Sequence, residues 1–203
     1  MTAKKTPAPK LKNAPKVKLA LVGVSRDCFP VSQTKTRLKT LARAYRDIGG
    51  KPYTCKTIIE TEADAMTALA EVLDAGCNAA VIYLGNFGPE GPLAIFAEEF
   101  PGPVMACAAA EESRASLASN RGDAFCGMLN ASYNFNLRSL NVHIPEAPVG
   151  LPAQLADQIA HFQTVARVVL GVWDLKIFSF GPRPQDFFAC NAPIKPLYDL
   201  GVE

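Results

Sequence analysis

Short runs of uninterrupted apolar residues alternate along this chain with longer stretches whose apolar residues recur every three or four positions. The run Ala79–Leu84 (AAVIYL) has no polar alternation, which fits a strand covered on both faces, as in a parallel sheet. It runs straight into a glycine- and proline-rich loop, Gly85–Pro92. Val17–Val22 reads as the first strand and ends at Gly23. Tyr53–Ile59, with polar neighbours, reads as a second strand nearer an edge. Pro103–Ala108 is a fourth strand packed with small residues, and Asn141–Ile144 a short fifth.

Helical spacing fills the intervals. Ser32 is placed to cap a helix carrying Leu38, Leu41, Tyr45 and Ile48, which Gly49–Gly50 ends. Thr61 and Asp64 have the spacing of a capping box, and Met66, Leu69 and Leu73 follow on one face up to Gly76. Pro92 suits a first turn, with Leu93, Phe96, Ala97 and Phe100 behind it. Ala109–Asp123 is polar and irregular, with room for one helical turn. From Gly122 a helix resumes in which Phe125, Met128, Leu129, Tyr133 and Leu137 share a face. Pro152 opens a long helix with Leu155, Ile159, Phe162, Ala166 and Val169 inward, ending at Gly171.

Strands alternating with helices predict a parallel sheet with right-handed crossovers. Five such units over residues 17–172 predict a flavodoxin-like, three-layer α/β domain. Leu175–Phe180 (LKIFSF) then reads as the first strand of a second α/β domain, which residues 173–203 only begin. The lysines and prolines of residues 1–16 predict a disordered basic arm. In open α/β sheets the ligand crevice lies beyond the carboxyl ends of the strands. That rule singles out the loops Val24–Pro30 and Gly85–Gly91.

Composition narrows the function without naming it. The 203 residues are 49% apolar with a net charge of +2. This balance offers no electrostatic case for nucleic acid or a membrane surface. No run approaches the roughly 20 apolar residues of a membrane span. The N-terminal lysines precede no apolar secretion segment, so a cytoplasmic protein is expected. The six cysteines (28, 55, 77, 107, 126 and 190) show no CxxC pairing and read as reduced thiols, Cys55, Cys77 and Cys107 as small buried hydrophobes. His143 and His161 lack companion carboxylates at ligand spacing, so no metal site is expected within this chain. Gly85–Gly91 lacks the spacing and the lysine of a phosphate-cradling loop, which counts against a flavin-binding electron carrier.

The segments GVSRDCFP, YLGNFGPEGP, RGDAFCGMLNASYN and SFGPRPQDFFACNAP together resemble L-fucose isomerase-like proteins, within the L-fucose/L-arabinose isomerase superfamily. The resemblance runs from about Val17 to the last residue, with the blocks in the family's order. It implies the N-terminal portion of an aldose–ketose isomerase that uses Mn²⁺ and works through an ene-diol. Metal ligands and proton-shuttling carboxylates would then lie in later domains, leaving this chain with no cofactor of its own and inactive alone. A proton moved between adjacent carbons needs an acid–base pair near the metal, and no such constellation is visible here. The resemblance also implies a monosaccharide substrate and a symmetric homo-oligomer, in which the first domain helps close a neighbour's pocket. The substrate-binding positions carried over are Arg26, Asn86 and Phe87 at the lip, and Arg183 in the GPRP turn.

Each position also has a plainer reading. Arg26 and Asp27 read equally as a loop ion pair, and Phe87 as a plug into its own core. Asn130 and Tyr133 either line a cleft or belong to a helix packing face. Asp186 either orients Arg183 or caps a turn. The alternative to the isomerase portion is a stand-alone flavodoxin-like module that binds a small polar ligand or a partner.

Overall fold

The computed structural model describes residues 14–111, 121–173, 175–178, 180, 185–187, 190 and 193–202. Arg183, nearly all of the basic arm and most of the 109–123 segment lie outside the described residues. Contacts divide the chain into one unit over Val17–Ala166 and another comprising Met1–Lys16 and Arg167–Glu203.

The larger unit is a parallel α/β sandwich. Its elements are β1 (Leu19–Val24), α1 (Val31–Asp47), β2 (Tyr53–Thr54), α2 (Glu62–Asp74), β3 (Ala79–Leu84) and α3 (Glu90–Glu99). They are followed by β4 (Val104–Ala109), α4 (Ala124–Leu137), β5 (Val142–His143), β6 (Val149–Gly150) and α5 (Pro152–Trp173), which runs on into the second unit. The strand order is β2-β1-β3-β4-β5, every pair is parallel, and β6 adds to β4 beyond β5. Every residue of β1, β3 and β4 is buried, as apolar runs without alternation require. The Tyr45 hydroxyl of α1 donates to Gln163 of α5, and Phe162 of α5 stacks on His143 of β5 at 5.6 Å. Right-handed crossovers put α1 and α5 on one face and α2, α3 and α4 on the other, where α3 packs between its two neighbours. This is the flavodoxin-like three-layer arrangement.

Several elements differ in extent from the sequence pattern. The Tyr53–Ile59 run pairs only at Tyr53–Thr54, with an isolated bridge from Ile59 to Val24. Between them Glu71 of α2 takes over the backbone. Its carboxylate accepts from the Lys56 N–H at 2.7 Å, the Thr57 N–H at 3.1 Å, and the Tyr53 and Thr57 hydroxyls, both at 2.9 Å. Burial pushes the Glu71 carboxyl up, but these donors outweigh it and hold it down to about 2. The capping box at Thr61 and Asp64 is formed, whereas α1 begins at Val31 without a side-chain cap from Ser32.

The helix faces depart further. On α2 the buried residues are Ala65, Ala68, Leu69 and Val72, and Met66 and Leu73 face out. On α4 the buried set is Ala124, Gly127, Met128, Ala131 and Phe135. Of the residues expected to share one face, Met128 is buried, whereas Phe125, Leu129, Tyr133 and Leu137 are exposed. The inward face sets the small Ala124, Gly127 and Ala131 beside Met128 and Phe135, and the neighbouring stripe is turned out. Cys55, Cys77 and Cys107 are buried as expected, and burial pushes the thiols of Cys55 and Cys107 up to about 12.

In the smaller unit, α6 (Lys195–Asp199) ends at Gly201, whose φ of +76° favours glycine. Trp173 borders Gly201 and is half exposed. The strand expected over Leu175–Phe180 is not formed across the described residues 175–178. A strand exists only through a neighbour that pairs with it.

Candidate functional site

The strand order reverses between β1 and β3, so the loops after these two strands flank the crevice that this topology creates. Asn86 fills that crevice. Its side chain is fully buried, and its Oδ1 accepts from the Arg26 N–H at 3.0 Å and the Gly88 N–H at 3.3 Å. Its Nδ2 donates to the equally buried Ser25 Oγ at 2.9 Å. The two loops are therefore stapled by one amide. Asn86 positions the lip and does not present its own side chain to solvent. Gly88, at φ +73°, provides the left-handed turn that returns the loop to α3.

Above this staple the Arg26 guanidinium carbon lies 4.7 Å from the centroid of the Phe87 ring, within cation–π range. Phe29, from the β1 loop, lies nearly parallel to Phe87 at 6.4 Å and an interplanar angle of 7°. The ion partner of Arg26 in the structure is Glu90, at 3.9 Å, rather than the adjacent Asp27. Glu90 sits in the first turn of α3, where a carboxylate is favoured, and also accepts from Asn134 of α4 at 3.2 Å. Arg26, Asp27, Glu60 and Glu90 line an open depression of about 660 Å³. Its lining carries one cation, Arg26, among three carboxylates, and Arg26 also reaches the Phe87 ring.

A second staple holds the loops from the α1 side. Arg37 donates to the Gly85 carbonyl at 2.7 Å and to Glu111, just beyond β4, at 2.8 Å. The other Glu111 oxygen accepts from the Gly122 and Asp123 N–H groups at 3.0 and 2.9 Å, tying β4 to the start of α4. From the opposite side α4 presses Gly127 onto the Phe87 backbone. A Cβ at Gly127 would lie 1.8 Å from the Phe87 carbonyl oxygen.

Of the sequence-predicted positions, Arg26, Asn86 and Phe87 come together at the reversal point. Arg183 lies outside the described residues. Tyr133 is exposed, and the Asn130 carbonyl accepts within α4 from Asn134. Phe29, Glu90, Arg37 and Glu111 escaped the sequence reading. Phe29 carried a signal, being a lone large apolar residue in the polar loop that faces Phe87. The others could be found only from their long-range partners.

Among the described residues no three His, Cys, Asp or Glu side chains gather closely enough to hold a metal. The described residues therefore do not make a site for Mn²⁺. Also among the described residues, no helix is long and apolar enough to cross a membrane. A comparison with curated proteins finds no match. The family model described as "Fucose/sulfoquinovose isomerase, N-terminal domain" matches residues 20–173, from the start of β1 to the end of α5. That match takes in the whole sheet with its reversal between β1 and β3, and by it the chain belongs to the fucose/sulfoquinovose isomerase family, as a bearer of its N-terminal domain.

Proposed function

We propose that this chain is the substrate-recognition and assembly domain of an aldose–ketose isomerase. It presents the Arg26–Phe87–Phe29 lip to a monosaccharide held in the pocket of a neighbouring subunit. The observation that carries this reading is the Arg26 guanidinium held over Phe87 by a buried amide, on the two loops that flank the strand reversal. A cation fixed in place donates charge-assisted hydrogen bonds to hydroxyls with little ordering left to do. Aromatic rings beside it offer an apolar surface to the C–H face of a sugar. The acid–base pair and the Mn²⁺ of the reaction belong, in this reading, to the catalytic domains of the enzyme.

The test is Arg26→Ala in the assembled enzyme that carries this domain. Arg26 lies on a loop outside the core and is 36% exposed, so folding should survive. Loss of hydrogen bonds from a charged donor is worth about 1.5–3 kcal/mol. That corresponds to a drop in kcat/KM of about tenfold to a hundredfold, with metal affinity unchanged. An unchanged kcat/KM for every aldose the enzyme accepts would sink the lip role.

A further inference from the structure

Three cations of α1 fall on one stripe. Lys35, Lys39 and Arg46 stand at helical spacing along it, and the small Ala42 occupies the place between the last two. Across from the stripe, the segment after β2 adds Lys56. The four cations rim a groove of about 310 Å³ at the outer edge of the sheet, where β2 is the last strand. All four residues are exposed, and among the described residues none of them makes an ion pair. Nor does any described carboxylate line the groove. Glu71, which anchors the Lys56 backbone, has its carboxylate engaged by the N–H groups of Lys56 and Thr57 and by the Tyr53 and Thr57 hydroxyls. The floor has the opposite character, being made by the buried Leu38, Ala42 and Ile58. Arg46 is steadied at the wall, where it donates to the Thr54 hydroxyl at 3.2 Å.

This rim works against the helix that carries it. Like charges four residues apart destabilise a helix, and Lys35 and Lys39 are such a pair. The whole chain has a net charge of only +2, so four unpaired cations around one apolar floor are a local concentration of charge. We propose that the groove binds a small organic diphosphate, with its phosphates on the rim and its flat or apolar body on the floor. A lone carboxylate would leave most of the rim uncompensated, whereas linked phosphates reach cations on both walls. Ammonium groups serve phosphate as compact point charges, and the Arg46 guanidinium offers a fork for two oxygens. The volume lies at the low end of the roughly 300–1,000 Å³ of small-molecule pockets, which suits a ligand of nucleotide size. With two residues, β2 gives an incoming acidic peptide little edge to pair with. The groove shares no lining residue with the depression beside Arg26, so the proposal goes beyond the reading above and does not depend on it.

Isothermal titration calorimetry of the purified chain with ADP, pyrophosphate and adenosine, in metal-free buffer at low salt, tests it. ADP should bind one to one and weaken as salt rises, because exposed charges are screened. Pyrophosphate should bind more weakly than ADP, for want of a body to cover the floor, and adenosine should not bind. Lys39→Ala and Lys56→Ala, on opposite walls, should each weaken ADP binding about tenfold, the scale of one lost charge-assisted hydrogen bond. Arg43→Ala removes an exposed cation of α1 that lies outside the lining, and should leave binding unchanged. All three variants should keep the circular dichroism of the wild type. No binding of ADP, equal affinity for ADP and adenosine, equal affinity for ADP and pyrophosphate, or an effect of Arg43→Ala as large as that of Lys39→Ala and Lys56→Ala would each overturn the proposal. An oligoglutamate that binds more tightly than ADP would overturn it too, in favour of an acidic peptide.

Discussion

At the scale of single residues, the lip depends on a side chain that never reaches the surface. Asn86 holds the backbone of Arg26 and of Gly88 through one oxygen and Ser25 through its nitrogen. Asn86→Ala removes the acceptor and leaves backbone donors unpaired in a buried place, at a cost of about 1–3 kcal/mol. The expected outcome is a lower urea midpoint at unchanged slope, since the compactness of either end state is not altered. Arg26 should also lose its fixed position over Phe87, so sugar binding should weaken even where the variant is fully folded. A midpoint equal to the wild type would mean that the loops hold themselves and the amide is incidental. Nothing in the sequence set Asn86 apart from a solvent-facing loop asparagine. Its partners lie 60 and 61 positions away and become neighbours only because β1 and β3 pair in register.

At the scale of elements, the fit of α4 against the β3 loop is decided by a missing side chain. Gly127→Ala gains up to about 1 kcal/mol of helix propensity. It also puts a methyl group within 1.8 Å of the Phe87 carbonyl, a backbone atom that cannot turn aside. Overpacking of this kind costs about 1–3 kcal/mol, so the net effect should be a lower melting temperature. Gly91→Ala is the control. It lies in α3 with nothing within 4 Å of the added methyl, and should be neutral or slightly stabilising. Equal melting temperatures for the two variants would refute the close approach. The same helix marks where pattern reading stops. Strands buried on both faces were legible because the sheet leaves no polar position in β1, β3 or β4. Helix faces were less so. Helical spacing groups the large apolar residues of α4 on one face, yet the sheet receives Gly127 and Ala131 and leaves Leu129 and Tyr133 outside. Two stripes one helical step apart both satisfy the period, and only the space above the sheet chooses between them. The two-residue strand β6 carried no signal of its own, and its place follows from the end of β4.

At the scale of the whole molecule, the layer order follows from the alternation of elements, whereas the response to acid depends on contacts that alternation does not show. Glu71 and His143 share its sign with Asp64, which burial pushes up but which the hydrogen bonds from Thr61 and Glu60 hold below the ordinary value. The Glu71 carboxyl is held down to about 2 from an ordinary 4.5, despite the upward push of burial, by its hydrogen bonds to the β2 edge. Its contribution is complete above 4.5 and is lost as pH falls through 2, because the unfolded chain binds the proton first. His143, stacked on Phe162, is lowered below its ordinary 6.5, by burial first and then by the charge of His161. A depressed histidine acts in the same direction. Its stability is present above 6.5 and declines as pH falls through the folded value, since protonation charges a ring partly withdrawn from water. Stability should therefore climb with pH in two windows, one just below neutrality and one between about 2 and 4.5. His143→Phe keeps an aromatic ring on Phe162 and should flatten the upper window alone. Glu71→Gln keeps the size and one acceptor oxygen but not the charge. It should lower stability at neutral pH and flatten the lower window, drawing the two curves together at the acid end. Urea midpoints measured from pH 3 to pH 8 for the three proteins separate these effects. If Glu71→Gln runs parallel to the wild type at every pH, the carboxylate is not what holds the β2 edge to α2, and the ordering of residues 53–57 must rest on the backbone alone.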